Sequence, residues 1–94
     1  MLIAIMCLDK PNSLGLRMAT RPQHLEWLKN NMPEAAYVGP LLDDEGDSLL
    51  GSLYILEFED VAAARAWIVD EPYYMADLFE SVLMRPSRNI LPML

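Results

Sequence analysis

The sequence contains few of the residues that build disulfides, metal centres and nucleic-acid surfaces. Cys7 is the only cysteine and His24 the only histidine among 94 residues, so neither an internal disulfide nor a metal-ligand pattern is present. Lysine and arginine number seven against fourteen acidic residues, for a formal net charge of -7. Because phosphate backbones are bound by clustered cations, this balance argues against a nucleic-acid partner.

Long hydrophobic segments are also absent. The longest apolar run, residues 1–8, is far shorter than the roughly 20 residues that cross a bilayer. It also lacks the basic start and the small-residue cleavage site of a signal peptide. We therefore expect a cytoplasmic protein without a membrane partner, and the absence of nucleotide, flavin and metal motifs predicts chemistry without a cofactor.

Hydrophobic periodicity predicts one α+β domain over residues 1–94. The predicted strands span residues 1–8, 35–38, 49–58 and 79–84, the helices residues 21–31 and 61–69, and a tail follows at 85–94. Residues 35–38 and 49–58 flank an acidic turn and should form a hairpin. The resulting βαββαβ order is that of a ferredoxin-like sandwich, in which both helices cover one face of an antiparallel sheet.

The first predicted helix carries the histidine close to its start. Thr20 is a good N-cap, Gln23 follows three residues later as in a capping box, and Pro22 is tolerated in a first turn. His24 would then lie near exposed N–H dipoles, which disfavour an imidazolium and leave a ring able to accept a proton. The stripe expected to face the core comprises Leu25, Leu28 and Met32.

The uncovered face of the sheet is too apolar for a face in contact with water. Half-solvated strands alternate apolar and polar residues, but residues 1–8 and 53–56 are apolar on both sides. The simplest cover is the same face of a second subunit, which predicts a two-fold homodimer or a higher oligomer. The apolar end of the tail, residues 90–94, would reinforce that contact.

Antiparallel topology brings the unusual polar residues to one end of the sheet. A cleft there needs a few polar groups in an apolar wall. The candidate catalytic residues are His24, Asp9 and Glu71, and the candidate substrate-binding residues are Arg17, Arg21, Ser52, Asp70 and Tyr73.

These residue types support proton transfer next to a carbonyl group. A neutral histidine beside a carboxylate can remove a carbon-bound proton, and either Asp9 or Glu71 could be that carboxylate. Arg17 or Arg21 could hold a carboxylate of a small anionic substrate, and Tyr73 could donate a hydrogen bond. A simpler interpretation is purely structural. In it, His24 only forms a hydrogen bond with a backbone group, and the acidic residues Asp70 and Glu71 only end the second helix.

Five segments, in this order and spacing, resemble the YciI-like family: residues 21–25, 38–41, 51–53, 58–60 with 62–67, and 71–73. The resemblance implies a ferredoxin-like subunit of a dimeric α/β barrel, with a cleft around His24. It also implies isomerase or dehydrochlorinase-like lyase chemistry. Glu71 lies at the position where the family usually has an aspartate. The carboxylate is therefore kept, but the longer side chain places it at a different distance from the backbone.

Two functions from different classes remain open from the sequence. One is a small cofactor-independent enzyme, an isomerase or lyase for a carboxylated metabolite, with His24 as general base. The other is a dimeric module that binds a small ligand or only assembles. The distance between His24 and a carboxylate separates them, because general base catalysis needs both groups at an open pocket.

Overall fold

The apolar segment at the start of the chain forms a central strand of the sheet. The computed structural model describes residues 1–91, whose elements are β1 (Leu2–Asp9), α1 (Leu14–Asn31), β2 (Ala35–Leu42), β3 (Leu49–Glu57), α2 (Val61–Ile68), α3 (Pro72–Met75) and β4 (Phe79–Ser87). The sheet order is β2-β3-β1-β4, and every neighbouring pair is antiparallel. The predicted ferredoxin-like α+β fold is confirmed, with the short α3 as an additional element.

The two faces of β1 have different surroundings. Ile3, Ile5 and Cys7 are fully buried in the core beneath the helices, whereas Met6 and Leu8 are each 40% exposed. Successive side chains of a strand point to opposite faces, so the helices cover one face and the other presents apolar side chains.

Helix α1 begins seven residues earlier than predicted. Its N-cap is Ser13, so Thr20 lies inside the helix and the predicted capping box does not exist. Pro22 is also internal, and His24 lies about three turns from the helix start. The predicted effect of the helix N-terminus on His24 is therefore wrong, since the dipole acts mainly on the first turn.

The buried stripe of α1 also differs from the prediction. Leu28 is buried, but Leu25 and Met32 are 45% and 43% exposed. The inward positions instead include Arg17, Thr20 and His24, besides Leu28. Hydrophobic spacing alone could not identify this stripe, because polar residues face inward when partners elsewhere in the chain satisfy them.

The β2–β3 hairpin was predicted correctly, but β2 continues through Gly39 and Pro40, where the strand was expected to end. Proline is tolerated in an edge strand, and β2 is an edge strand. At Gly51 in β3, a Cβ atom would collide with the backbone oxygen of Cys7. Only glycine allows the two strands to approach this closely.

The chain between α2 and β4 contains the element that the sequence analysis missed. Besides their candidate roles in a site, the acidic residues 70 and 71 were interpreted as the end of the second helix, but Glu71 is the N-cap of α3. Its carboxylate accepts from the backbone N–H groups of Tyr73 and Tyr74. An acidic residue is well suited to a helix start, so Glu71 lies where the helix dipole favours its charge.

Strand β4 extends to Ser87, so the predicted tail from residue 85 begins within this strand. Residues 92–94, the end of the tail assigned to a dimer contact, lie outside the described residues.

Candidate active site

A cavity of about 300 Å³ opens between α1 and the β2–β3 hairpin. Its polar lining residues are Arg17, Arg21, His24, Ser52, Tyr54 and Tyr73, and its apolar walls include Leu25, Leu28, Val38, Pro40 and Leu49. A few polar groups in a mostly apolar wall are typical of a small-molecule site.

The shortest polar contact of the cavity wall joins His24 to Glu71. The distance from Nδ1 to Oε1 is 2.5 Å, Glu71 is fully buried and His24 is 8% exposed. An ionised carboxylate only accepts hydrogen bonds, so we assign the proton to Nδ1. The other ring nitrogen, Nε2, has no hydrogen-bond partner within residues 1–91 and belongs to a residue that lines the cavity.

Glu71 is held by backbone as well as by the histidine. While Oε1 contacts the ring, Oε2 accepts from the N–H groups of Tyr73 at 3.0 Å and Tyr74 at 3.3 Å. Three donors therefore fix the carboxylate, and the carboxylate fixes the imidazole ring.

Asp9, the other carboxylate considered as a partner of His24, pairs with Arg17 instead. Arg17 Nε and Nη2 donate to its two carboxylate oxygens at 2.7 and 2.9 Å, and both side chains are nearly inaccessible. Burial alone would lower the pKa of Arg17, but the bonds to Asp9 outweigh this effect and raise it. Nη2 also donates to Ser52 Oγ at 2.9 Å. Arg17 is therefore a cation whose charge is already balanced.

Tyr73 links the two buried pairs. Its ring stacks on His24 with centroids 4.0 Å apart and an interplanar angle of 17°. The guanidinium carbon of Arg17 lies 4.5 Å from the centroid of the same ring. Burial raises the pKa of the Tyr73 hydroxyl. The Tyr73 ring, predicted to bind substrate, therefore contacts both the histidine and the arginine.

The remaining two candidate residues lie at the mouth of the cavity or outside it. Arg21 is exposed, lines the cavity and has no ion pair within residues 1–91. Asp70 is exposed and does not line the cavity, whereas the neighbouring Glu71 is fully buried. The prediction of Asp70 as a substrate-binding residue therefore finds no support in its position.

Tyr54 lines the cavity but was treated in the sequence analysis only as part of a strand. It is 1% exposed, and its ring centroid lies 6.5 Å from that of His24. Burial raises the pKa of its hydroxyl. The signal that could have revealed it is the two-residue strand period, which places Tyr54 on the same face as Ser52.

Two features are absent within the described part of the chain. None of its helices is both long and apolar enough to span a membrane. Residues 1–91 also contain no group of three or more His, Cys, Asp or Glu side chains suited to hold a metal ion.

Fold and cavity together define a small ferredoxin-like protein with a buried histidine–glutamate pair next to a cavity. The family model described as a YCII-related domain matches residues 1–88. The chain therefore belongs to the YCII-related family, as its motifs predicted.

Curated relatives match nearly the whole chain. A Haemophilus influenzae protein is 35% identical over 97 aligned positions, which cover 96% of this chain and 99% of the relative. Protein YciI of Escherichia coli matches with the same identity and coverage.

Solved structures show the same fold. The 5-chloro-2-hydroxyhydroquinone dehydrochlorinase of Burkholderia phenoliruptrix, in complex with 2,5-dihydroxybenzoquinone, has a TM-score of 0.84 and 25% identity, with 94% of each chain covered. A protein of Bacteroides thetaiotaomicron assigned to the antibiotic biosynthesis monooxygenases has a TM-score of 0.57 at 17% identity, over 100% of this chain and 92% of that one. The second likeness concerns the fold alone, which is that of dimeric α/β barrel subunits.

Proposed function

We propose that this protein is a cofactor-independent isomerase or lyase that moves a proton on a small carboxylated metabolite, with His24 as general base. The observation that carries the proposal is the 2.5 Å contact between His24 Nδ1 and Glu71 Oε1 at the cavity wall. A histidine held in one tautomer by a buried carboxylate is well suited to general base catalysis.

The two groups have different roles. His24 Nε2 takes the proton from a carbon next to a carbonyl, and the electrons of the C–H bond form a C=C bond as negative charge moves to the carbonyl oxygen. Glu71 compensates the charge that the ring gains. The proton then returns to another carbon in an isomerisation, or a leaving group departs in an elimination. Neither outcome needs an oxidant or a reductant.

Arg21 is the residue that best suits a substrate carboxylate. The charge of Arg17 is matched by Asp9, whereas Arg21 lies at the cavity mouth without an ion pair in residues 1–91. A guanidinium binds a carboxylate through two parallel hydrogen bonds. The substrate would therefore direct its anionic end outward and its reacting carbon towards His24.

The dehydrochlorinase relative supports the elimination branch of this proposal. Its reaction removes HCl from 5-chloro-2-hydroxyhydroquinone, and its chain shares the fold over 94% of both sequences. Removal of HCl needs a base for the proton and no redox partner, which agrees with the chemistry available to His24.

The first experiment measures chloride release from 5-chloro-2-hydroxyhydroquinone and, by NMR in D₂O, deuterium uptake next to the carbonyl of small oxo acids. We expect activity in at least one assay, a loss of at least about 100-fold in His24→Ala, and a large loss in Glu71→Gln. Asp70→Asn, which changes the neighbouring exposed carboxylate, is the matched control and should keep full activity. Wild-type protein that is inactive in both assays, or a His24→Ala variant as active as wild type, would favour the non-catalytic ligand-binding module.

We also propose that the uncovered sheet face joins two copies of the chain into a homodimer. Met6, Leu8 and Leu83 are 40%, 40% and 49% exposed there, and their register makes them neighbours across β1 and β4. Monomers rarely leave so contiguous an apolar surface in water. Light scattering should give the mass of a dimer for wild type and of a monomer for Met6→Glu/Leu83→Glu, while Met75→Glu on α3 leaves the mass unchanged. A monomeric wild type would refute this proposal.

A further inference from the structure

The hydroxyl of Tyr54 is the one buried side-chain polar atom within residues 1–91 that has no hydrogen-bond partner. The residue is 1% exposed, at the centre of β3. Buried polar groups are nearly always paired, because an unpaired one loses its bonds to water without compensation. Such an atom therefore needs an explanation.

Packing of the aromatic ring does not require the hydroxyl. The ring makes edge contacts with Trp67 at 5.4 Å and with His24 at 6.5 Å between centroids. A phenylalanine ring would make the same contacts without burying an unpaired oxygen. The hydroxyl is therefore not needed for the packing of this ring.

The position of Tyr54 indicates a role in the cavity. Tyr54 lines it together with His24 and Ser52, and Ser52 lies two residues away on the same face of β3. A ligand that touches the imidazole of His24 is therefore within reach of Tyr54.

We propose that the Tyr54 hydroxyl, assisted by Ser52, binds the carbonyl oxygen of the ligand. This carbonyl group is adjacent to the carbon from which His24 removes the proton. This inference rests on the proposed function and deepens it. As the C–H bond breaks, its electrons form a C=C bond and the C=O bond becomes C–O⁻. The proton goes to His24 Nε2, and the new negative charge lies at the oxygen bound by Tyr54. A donor aimed at developing charge stabilises the transition state more than the ground state.

The surroundings keep both hydroxyls available as donors. Burial raises the pKa of Tyr54, so its hydroxyl stays protonated. Ser52 Oγ accepts from Arg17 Nη2 at 2.9 Å, which leaves its own hydrogen for another acceptor. Asp9 in turn holds Arg17 through two bonds, so the Ser52 oxygen has a fixed neighbour.

This arrangement defines the ligand class more narrowly than the base alone. The buried residues Tyr54 and Ser52 line the cavity with neutral hydroxyl side chains, and the buried carboxylate of Glu71 contacts the histidine of the same wall. A ligand carboxylate is disfavoured there by the like charge, whereas a neutral oxo or hydroxyl oxygen fits. The substrate class is a small enolisable carbonyl compound or hydroxylated ring that inserts this oxygen first, with any acidic group left at Arg21.

The test compares Tyr54→Phe, which removes only the oxygen atom, with wild type and with Tyr37→Phe, a half-exposed tyrosine outside the cavity lining. The binding probe is 2,5-dihydroxybenzoquinone, measured by calorimetry, and turnover is chloride release or deuterium uptake. We expect Tyr54→Phe to bind the probe at least about 10-fold more weakly and to lose about 100-fold in kcat. Ser52→Ala should lose less, and Tyr37→Phe nothing.

Thermal unfolding of the ligand-free variants separates this role from a structural one. We expect the Tyr54→Phe midpoint to equal or exceed that of wild type, because an unpaired buried oxygen is removed. A lower midpoint together with unchanged probe binding would overturn the inference, since the hydroxyl would then serve the fold.

The outcomes also separate this inference from the proposed function. Activity that depends on His24 but changes less than threefold in Tyr54→Phe refutes the role of Tyr54 and leaves the proposed function standing. Probe binding that weakens in Tyr54→Phe, in a protein whose His24→Ala variant turns over as fast as wild type, supports the Tyr54 contact and refutes the base. A wild-type protein that does not bind the probe counts against the Tyr54 site.

Discussion

The two carboxylates that the sequence offered as partners of His24 should respond differently to the loss of charge, and Asp9→Asn is the more informative change. This substitution keeps the shape of the side chain but removes the charge that balances Arg17. Arg17 is 3% exposed, so its cation would remain buried with Ser52 Oγ and one amide oxygen as acceptors. We therefore expect the substitution to lower mainly the free energy of unfolding.

The magnitude follows from burial. Breaking a buried ion pair by removing one partner costs about 3–5 kcal/mol, because the remaining charge is uncompensated. The total unfolding free energy of such a domain is about 5–15 kcal/mol. At about 4–8 °C per kcal/mol, the unfolding midpoint should fall by at least about 12 °C.

A second ion pair of this chain supplies the matched control. Lys10 Nζ lies 2.6 Å from Asp77 Oδ2, as close as the Asp9–Arg17 pair, but the Asp77 side chain is 85% exposed. Exposed pairs contribute about 0–1 kcal/mol, so Asp77→Asn should hardly move the midpoint. Urea unfolding of both variants measures the difference. Equal effects of the two substitutions would refute the conclusion that burial, and not distance, determines how much the Asp9–Arg17 pair contributes to the free energy of unfolding.

Three further predictions concern the core. Leu28→Ala should lower the free energy of unfolding by about 2–4 kcal/mol in urea, because Leu28 is buried. Leu25 is half-exposed, so Leu25→Ala should lower it by less than about 1 kcal/mol. The reverse order would contradict the buried stripe of α1. Gly51→Ala should lower the thermal midpoint strongly, because its Cβ would collide with the backbone of Cys7; an unchanged midpoint would show that the strands can separate without cost. Burial raises the pKa of Cys7 from 9.0 to about 12, so the thiol stabilises the fold fully below pH 9 and progressively less as pH rises towards 12. Wild type should therefore lose up to about 1.4 kcal/mol per pH unit more than Cys7→Ala over that range, and parallel curves would contradict this.

Strand and helix order could be predicted from the sequence because it depends on local signals. The apolar run of β1 and the acidic turn between β2 and β3 are each contained in a few residues, and the structure has both. The start of α1 was missed because Pro22 resembled a first-turn proline, while Ser13, its N-cap, makes no side-chain cap bond. Helix α3 was missed because four residues carry no periodicity.

The convergence of polar residues at one end of the sheet followed from topology, but their pairing did not. Asp9 and Glu71 were equivalent candidates in the sequence, and either could have contacted the histidine. Pairing depends on distances between elements far apart in the chain: Glu71 is 47 residues from His24 and Ser52 is 35 residues from Arg17. No local pattern encodes such distances.

The sequence by itself determined the fold, the family, and the presence of one histidine with carboxylates and arginines at the same end of the sheet. Only the tertiary structure decided that Glu71 contacts the histidine, that Asp9 neutralises Arg17 and that Tyr54 is left with an unpaired hydroxyl in the cavity wall. The physical reason is that backbone patterns are set by neighbours along the chain, whereas a buried polar side chain is satisfied, or left unsatisfied, by whatever the packing of distant elements brings within hydrogen-bond distance.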